Sequence, residues 1–306
     1  MPSDRRGVGD SIRPRMSCAV LLAAFAVLLA ARLVLSADEG IVSEPDDAVI
    51  YATMTQAIGE ARLGLFRYRP GFPAVAALVA STGIPYRVGI EVLYLVSCFL
   101  FAHALQRSSR SVALGVATLF LMAGHPWTLQ AFRHFHSEPT LLCASLVTFA
   151  AMLGLLDRER LEISDPLLWM TGISLSFSST VRNEDVILLS TYGSFALLAV
   201  FGQRRRSRRE SVRALLLLSV PVALLLASQL ALKAVNAATV GVFAMSRTEA
   251  PGFLALLHAL FRIGTPEGRR HAPFGVGSLR AAVTVSPTLG AYARPLFHSI
   301  ARETAV

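Results

Sequence analysis

Near-continuous apolar stretches, separated by short polar segments, set the pattern of this chain. The first, MSCAVLLAAFAVLLAARLVLS from residue 16, supplies about 20 residues, enough for one helix to cross the hydrocarbon core of a bilayer. Further stretches of this kind cover residues 86 to 106, 111 to 124, 139 to 156, 166 to 180, 186 to 202 and 212 to 235. The stretch 71 to 83, GFPAVAALVASTG, is different: it lies between Pro70 and Pro85 and is too short to span, so it is expected to be re-entrant or to lie along the membrane surface. The pattern predicts an all-α polytopic membrane protein of about seven transmembrane helices.

Composition agrees with that class. The chain is 54% hydrophobic and only 16% charged over 306 residues. Its net charge of +9 is carried almost wholly by arginine, with Lys233 the single lysine. The arginines fall between apolar stretches rather than along one face, which argues for membrane topology and against a nucleic-acid partner. If 71 to 83 does not cross, fourteen arginines fall on one side, in the N-terminal segment, Arg107 to Arg110, Arg158 with Arg160, and residues 203 to 213. By the positive-inside rule that side is cytoplasmic, which predicts a cytoplasmic N-terminus, a signal anchor in the first stretch, and an external C-terminus. Cys18, Cys98 and Cys143 each sit in a separate apolar run without ligand spacing, so neither a disulfide nor a zinc site is expected.

On this topology three polar stretches share the external face. The first is the acidic loop, residues 37 to 70, where Asp38, Glu39, Glu44, Asp46 and Asp47 crowd together. A helical pattern follows in Val49, Ala52, Met54, Ala57, Ile58, Ala61 and Leu65, predicting an external amphipathic helix. Asp46 and Asp47 either cap that helix or form a carboxylate pair facing a polar substrate. The second, HPWTLQAFRHFHSEP at 125 to 139, carries Arg133, His134, His136 and Glu138. Two residues apart on a helix, the histidines would point to different faces, which argues for hydrogen bonding rather than metal binding. The third, VRNED at 181 to 185, holds Arg182, Glu184 and Asp185; either its charges pair with one another or Arg182 meets an anionic headgroup. Arg62, Arg67 and Arg69 add positive charge beside the acidic pair. Residues 236 to 306 are expected to form a short external tail with an amphipathic helix at 251 to 264.

EPDDAVIY, followed by RYRPGFP, after a hydrophobic first span resembles the start of the GT-C polytopic glycosyltransferases, which include protein mannosyltransferases, aminoarabinose transferases and Rgt-type sugar transferases. FRHFHSEPTLL and STVRNEDVILL resemble two later motifs of that family. The resemblance covers roughly residues 17 to 235, and implies a transmembrane GT-C-like module over residues 1 to 235. It implies that Asp47, seconded by Asp46, acts as the base, that Glu138 is the second acid, and that Arg133, Arg182, Arg69, Tyr51 and His134 bind substrate. The family usually continues into further spans or a folded outer domain, so a short or truncated member is expected.

The function so implied is an inverting glycosyltransferase moving a sugar from a polyprenyl-phosphate-type donor to an envelope glycan, lipid or protein acceptor, in the bacterial cytoplasmic membrane. No cofactor is required; Mg or Mn would suit Asp46, Asp47 and Glu138 if a divalent cation takes part. A small-molecule transporter, or a non-catalytic envelope-assembly protein, is the alternative. A transporter calls for ionisable residues deep within several spans, and Glu91, His103 and Gln229 are few.

Overall fold

A computed structural model describes residues 12–37, 45–62, 66, 68–158, 160–201 and 208–250. Residues 246–250 belong to a separate compact unit that begins at Ser246. The acidic residues Asp38, Glu39 and Glu44, Arg67, and the tail from residue 251 with its expected amphipathic helix, lie outside the described residues.

Ten α-helices and no strand are present among the described residues: α1 (Ile12–Ala37), α2 (Pro45–Gly59), α3 (Gly71–Ser81), α4 (Tyr86–Ser109), α5 (Val112–Ala123), α6 (Pro126–Ala131), α7 (Glu138–Leu156), α8 (Pro166–Val181), α9 (Asp185–Phe201) and α10 (Arg208–Val240). Their boundaries follow local chemistry. The Ser111 side chain accepts from the Leu114 amide to cap α5, and Asp165 accepts from the Leu167 amide to cap α8, whose first residue is Pro166. α4 ends where Arg110 turns left-handed at φ 55°.

Four segments, within α1, α4, α7 and α10, are long and apolar enough to cross a membrane. The other three expected spans, α5, α8 and α9, have 12, 16 and 17 residues and fall short of the roughly 20 that a full crossing takes. Large apolar side chains such as Val34, Leu121, Leu198, Phe201 and Leu216 stand exposed on the bundle, a surface suited to lipid rather than water.

Contacts at the helix ends give each helix its direction. Arg32 near the end of α1 reaches Glu91 in α4 and the Ala123 carbonyl at the end of α5. At the opposite end, Ser108 of α4 donates to Asp157 just after α7, and Arg158 pairs with Asp165 before α8. Arg182 after α8 returns to Glu138 at the start of α7. α1, α4, α5, α7 and α8 therefore alternate in direction. Arg107, Arg110 and Arg158 share one end; the described parts of the three polar stretches share the other. α3 begins against α8, because a Cβ on Gly71 would fall 2.7 Å from the Thr180 backbone carbon, and it ends with Val79 facing Gly89 in the first turn of α4. Both of its ends thus lie at the same end of the bundle.

The core is unusually ionic. Arg32 is 2% exposed, Arg87 4% and Glu91 0%. Arg32 Nε meets Glu91 Oε2 at 2.6 Å, Arg87 Nη2 stands 2.9 Å from Glu91 Oε1, and the Arg32 guanidinium lies over the Tyr94 and Phe132 rings. Arg32 also donates to Thr128 and Arg87 to the Leu129 carbonyl, so the two arginines tie α1 and α4 to α6. On α8, Thr171, Ser174, Ser178 and Ser179 satisfy their hydroxyls on carbonyls of their own helix, and Thr148 of α7 donates to Ser174 at 2.9 Å. These small residues let α7 and α8 pack closely. Removing one partner of a buried ion pair strands the others, so Glu91→Ala should destabilise the protein by about 3–5 kcal/mol; chemical denaturation of the purified variant in detergent, with abundance in membranes as a second reading, checks this.

Candidate functional site

At the end of the bundle opposite the arginines, four segments meet: the first turns of α2, the stretch 68–72, the non-helical run 132–137 with the start of α7, and the turn between α8 and α9. An aromatic cluster joins them. Phe72, fully buried, meets Tyr51 edge-on at 4.8 Å and Phe135 at 5.0 Å, and Phe135 meets Tyr86 at 4.8 Å. Tyr51 also lies 5.2 Å from Tyr68 and donates to the Ser137 hydroxyl at 3.4 Å. α2 buries Ala48, Tyr51 and Met54, one face of the helix, against this cluster.

Glu138 opens α7, where a carboxylate is favoured by the helix dipole. It pairs with Arg182 Nη1, and Arg182 Nε stands 3.2 Å from Glu184 Oε1. The pair is open to its surroundings, with side chains 37% exposed for Arg182 and 50% for Glu138. Two of the residues singled out from sequence are thus in contact, and Tyr51 reaches the residue next to Glu138. Arg133 is exposed nearby in sequence.

Arg69 has a different setting. Its side chain is 5% exposed, and Nη1 and Nη2 grip both carboxylate oxygens of Asp185 at 3.0 and 2.8 Å. Nη2 also donates to the Asn183 side chain, and Nη1 to the carbonyls of Ser179 and Arg182. The VRNED charges therefore do not all pair among themselves: Arg182 takes Glu184, and Asp185 turns to Arg69.

One expectation changes here. His134 and His136 are not on a helix, and their rings stack with centroids 5.7 Å apart, so the argument that sends them to opposite faces does not apply. Asp46 and Asp47 fall in the first turn of α2 by backbone, but their side chains lie outside the described residues. Among the described residues no cluster of three His, Cys, Asp or Glu side chains could hold a metal ion; Glu138 faces an arginine rather than a second carboxylate.

Beside this end an apolar groove of about 700 Å³ lies between α4, α7 and α8. It runs from Pro166 and Trp169 at the start of α8, past Ile173, to Phe177 and Thr140. Thr140 is 3% exposed and its hydroxyl has no hydrogen-bond partner; it follows Glu138 by two residues. The groove thus extends from the start of α8 to Thr140, two residues after Glu138.

Sequence reasoning missed the Arg32–Glu91–Arg87 network and the Arg69–Asp185 grip. The first was signalled by an arginine inside the opening apolar run and by YRVGIEV, where a basic and an acidic residue stand four apart on a helix. Nothing local signalled the second, which joins residues 116 apart.

Comparison with protein-family models, with curated proteins and with solved structures finds no match for this chain.

The two ion pairs at this end should differ in weight. An exposed pair contributes at most about 1 kcal/mol, so Glu138→Gln should leave stability within that range. Asp185→Ala strands a buried guanidinium and should cost about 3 kcal/mol or more. Paired denaturation curves of the two variants against the parent measure the difference.

Proposed function

We propose that the chain is an inverting membrane glycosyltransferase that takes a sugar from a polyprenyl-phosphate-type donor and passes it to an envelope glycan, lipid or protein acceptor at the outer face of the bacterial cytoplasmic membrane. The observation that carries this reading is the groove. It is apolar and reaches Thr140, two residues after Glu138, whose partner Arg182 is partly exposed; an isoprenoid chain along the groove with a phosphate head at that pair is the ligand such a surface complements. A free polar metabolite, such as a transporter would carry, has no use for such a wall.

In this reading the seven alternating helices are seven crossings, with α5, α8 and α9 the shorter ones, and the arginine-rich end is cytoplasmic. Arg182 takes the donor phosphate, exchanging Glu138 for it, and Arg133 and His134 add polar contacts. Asp47, one helical turn before Tyr51, is the base that removes the acceptor proton, with Asp46 beside it; Glu138, once released, is the second acid. The sugar–phosphate bond breaks as the acceptor oxygen bonds to the anomeric carbon, with inversion, and the lipid phosphate leaves. Mg or Mn is not needed for charge balance when Arg182 faces the phosphate.

Reporter fusions test the orientation: Gly59 and His134 should report the outer side and Ser207 the cytoplasm, and a cytoplasmic result at His134 would remove the basis for an external site. For the chemistry, Asp47→Asn keeps a helix-capping side chain but not a base. It should lower sugar transfer from a radiolabelled polyprenyl-phosphate sugar by about 100-fold or more with unchanged abundance. Transfer at the parental rate in an Asp46→Asn, Asp47→Asn double variant would sink the mechanism.

A further inference from the structure

Arginines that bind a ligand keep donors available, whereas Arg69 spends its two terminal nitrogens on five protein acceptors. Those acceptors are of three kinds. Two are carbonyls at the end of α8, where a helix leaves its last carbonyls without intrahelical partners. One is the Asn183 side chain in the turn, and two are the oxygens of Asp185 in the first turn of α9. One planar guanidinium thus spans the end of one helix, the turn and the start of the next. A lysine, a single point of positive charge, cannot reproduce that fork.

The backbone beside Arg69 is docked independently. Gly71 lies so close to Thr180 that a Cβ would come within 2.7 Å of backbone, so the 68–72 stretch and the end of α8 are held together by a side chain and by close approach. Between the two contacts lies Arg182. Its carbonyl is held by Arg69 while its guanidinium reaches out to Glu138 and Glu184.

We propose that Arg69 is a positioning residue: it fixes the turn at residues 182 to 185 so that Arg182 presents its guanidinium to an anionic lipid head, and it makes no contact with that head itself. This rests on the reading above that Arg182 takes the donor phosphate. It assigns Arg69 a role other than substrate binding. The ligand chemistry is that of a phosphate monoester on an isoprenoid chain, the charge met by Arg182 and the chain by the groove.

The test is a double-mutant cycle on binding, read alongside the order of the turn. The full chain in nanodiscs is titrated with undecaprenyl phosphate in four forms: parent, Arg69→Lys, Arg182→Gln, and both together. Arg69→Lys is expected to weaken binding about tenfold when Arg182 is present and to add nothing when it is Gln. Equal losses in both backgrounds mean that Arg69 acts on the anion independently of Arg182, and overturn the proposal, as does parental affinity in Arg69→Lys. Turn order is read from Ser179→Cys, a fully buried position, by its rate of maleimide labelling above the background of Cys18, Cys98 and Cys143. Labelling should accelerate severalfold with Arg69→Lys; an unchanged rate overturns the clamp. If Arg182→Gln binds the lipid phosphate as the parent does while labelling accelerates, the clamp stands and the donor-binding reading fails. Should Arg69→Lys not accumulate, Asp185→Asn, which keeps shape and removes the ionic grip, takes its place in the same cycle with the same expected outcomes.

Discussion

A carboxylate with no exposure to solvent, held between two arginines, is the constraint on which the upper part of this bundle depends. Glu91 has no low-energy state inside apolar helices unless Arg32 and Arg87 stay where they are. Each arginine then spends further donors on the backbone around α6, at Ala123 and Leu129. Three helices that would otherwise slide against one another through interchangeable apolar contacts gain a single mutual placement. The aromatic faces of Tyr94 and Phe132 complete the lining and keep that placement dry. Because the 132–137 run leaves directly from this corner, the position of Glu138 and its neighbours is inherited from a charge cluster that touches none of them.

The sequence makes most of the helices legible to within a few residues. Length and hydropathy define α4, α7 and α8, Pro166 and Asp165 mark a start, and the short stretch between Pro70 and Pro85 correctly stands out as something other than a span by length. What pattern could not supply is partnership. VRNED reads as a self-contained knot of charge because its members are adjacent, yet Asp185 belongs to Arg69 across more than a hundred residues. The helical premise about the histidines fails for a related reason: spacing implies faces only where the backbone is helical, and 132–137 is not. α6 was not anticipated at all, since six residues opened by Pro126 carry too little periodicity to register.

The candidate site divides into an open and a closed half. Arg182, Glu138 and Glu184 remain partly exposed, in a grouping that can exchange one partner for another at little cost. Arg69, Asp185, Phe72 and Tyr51 are the packed support beneath. The apolar groove along α4, α7 and α8 reaches Thr140, two residues from Glu138, so hydrocarbon surface and charge lie close together in this part of the fold. The proposed lipid-linked donor draws on that division.

The distance in sequence between Arg69 and Asp185 also bears on how the protein is made. During synthesis at roughly 5–20 residues per second, about 6–23 s separate the appearance of Arg69 from that of the partner 116 residues later. Throughout that interval the nascent chain carries α3 with an arginine at its head and neither the α8 terminus nor the α9 start to receive it. Synthesis of the first helices therefore precedes completion of the Arg69–Asp185 grip. A chain interrupted before α9 would hold its groove-lining helices and still lack Asp185, the ionic partner of Arg69.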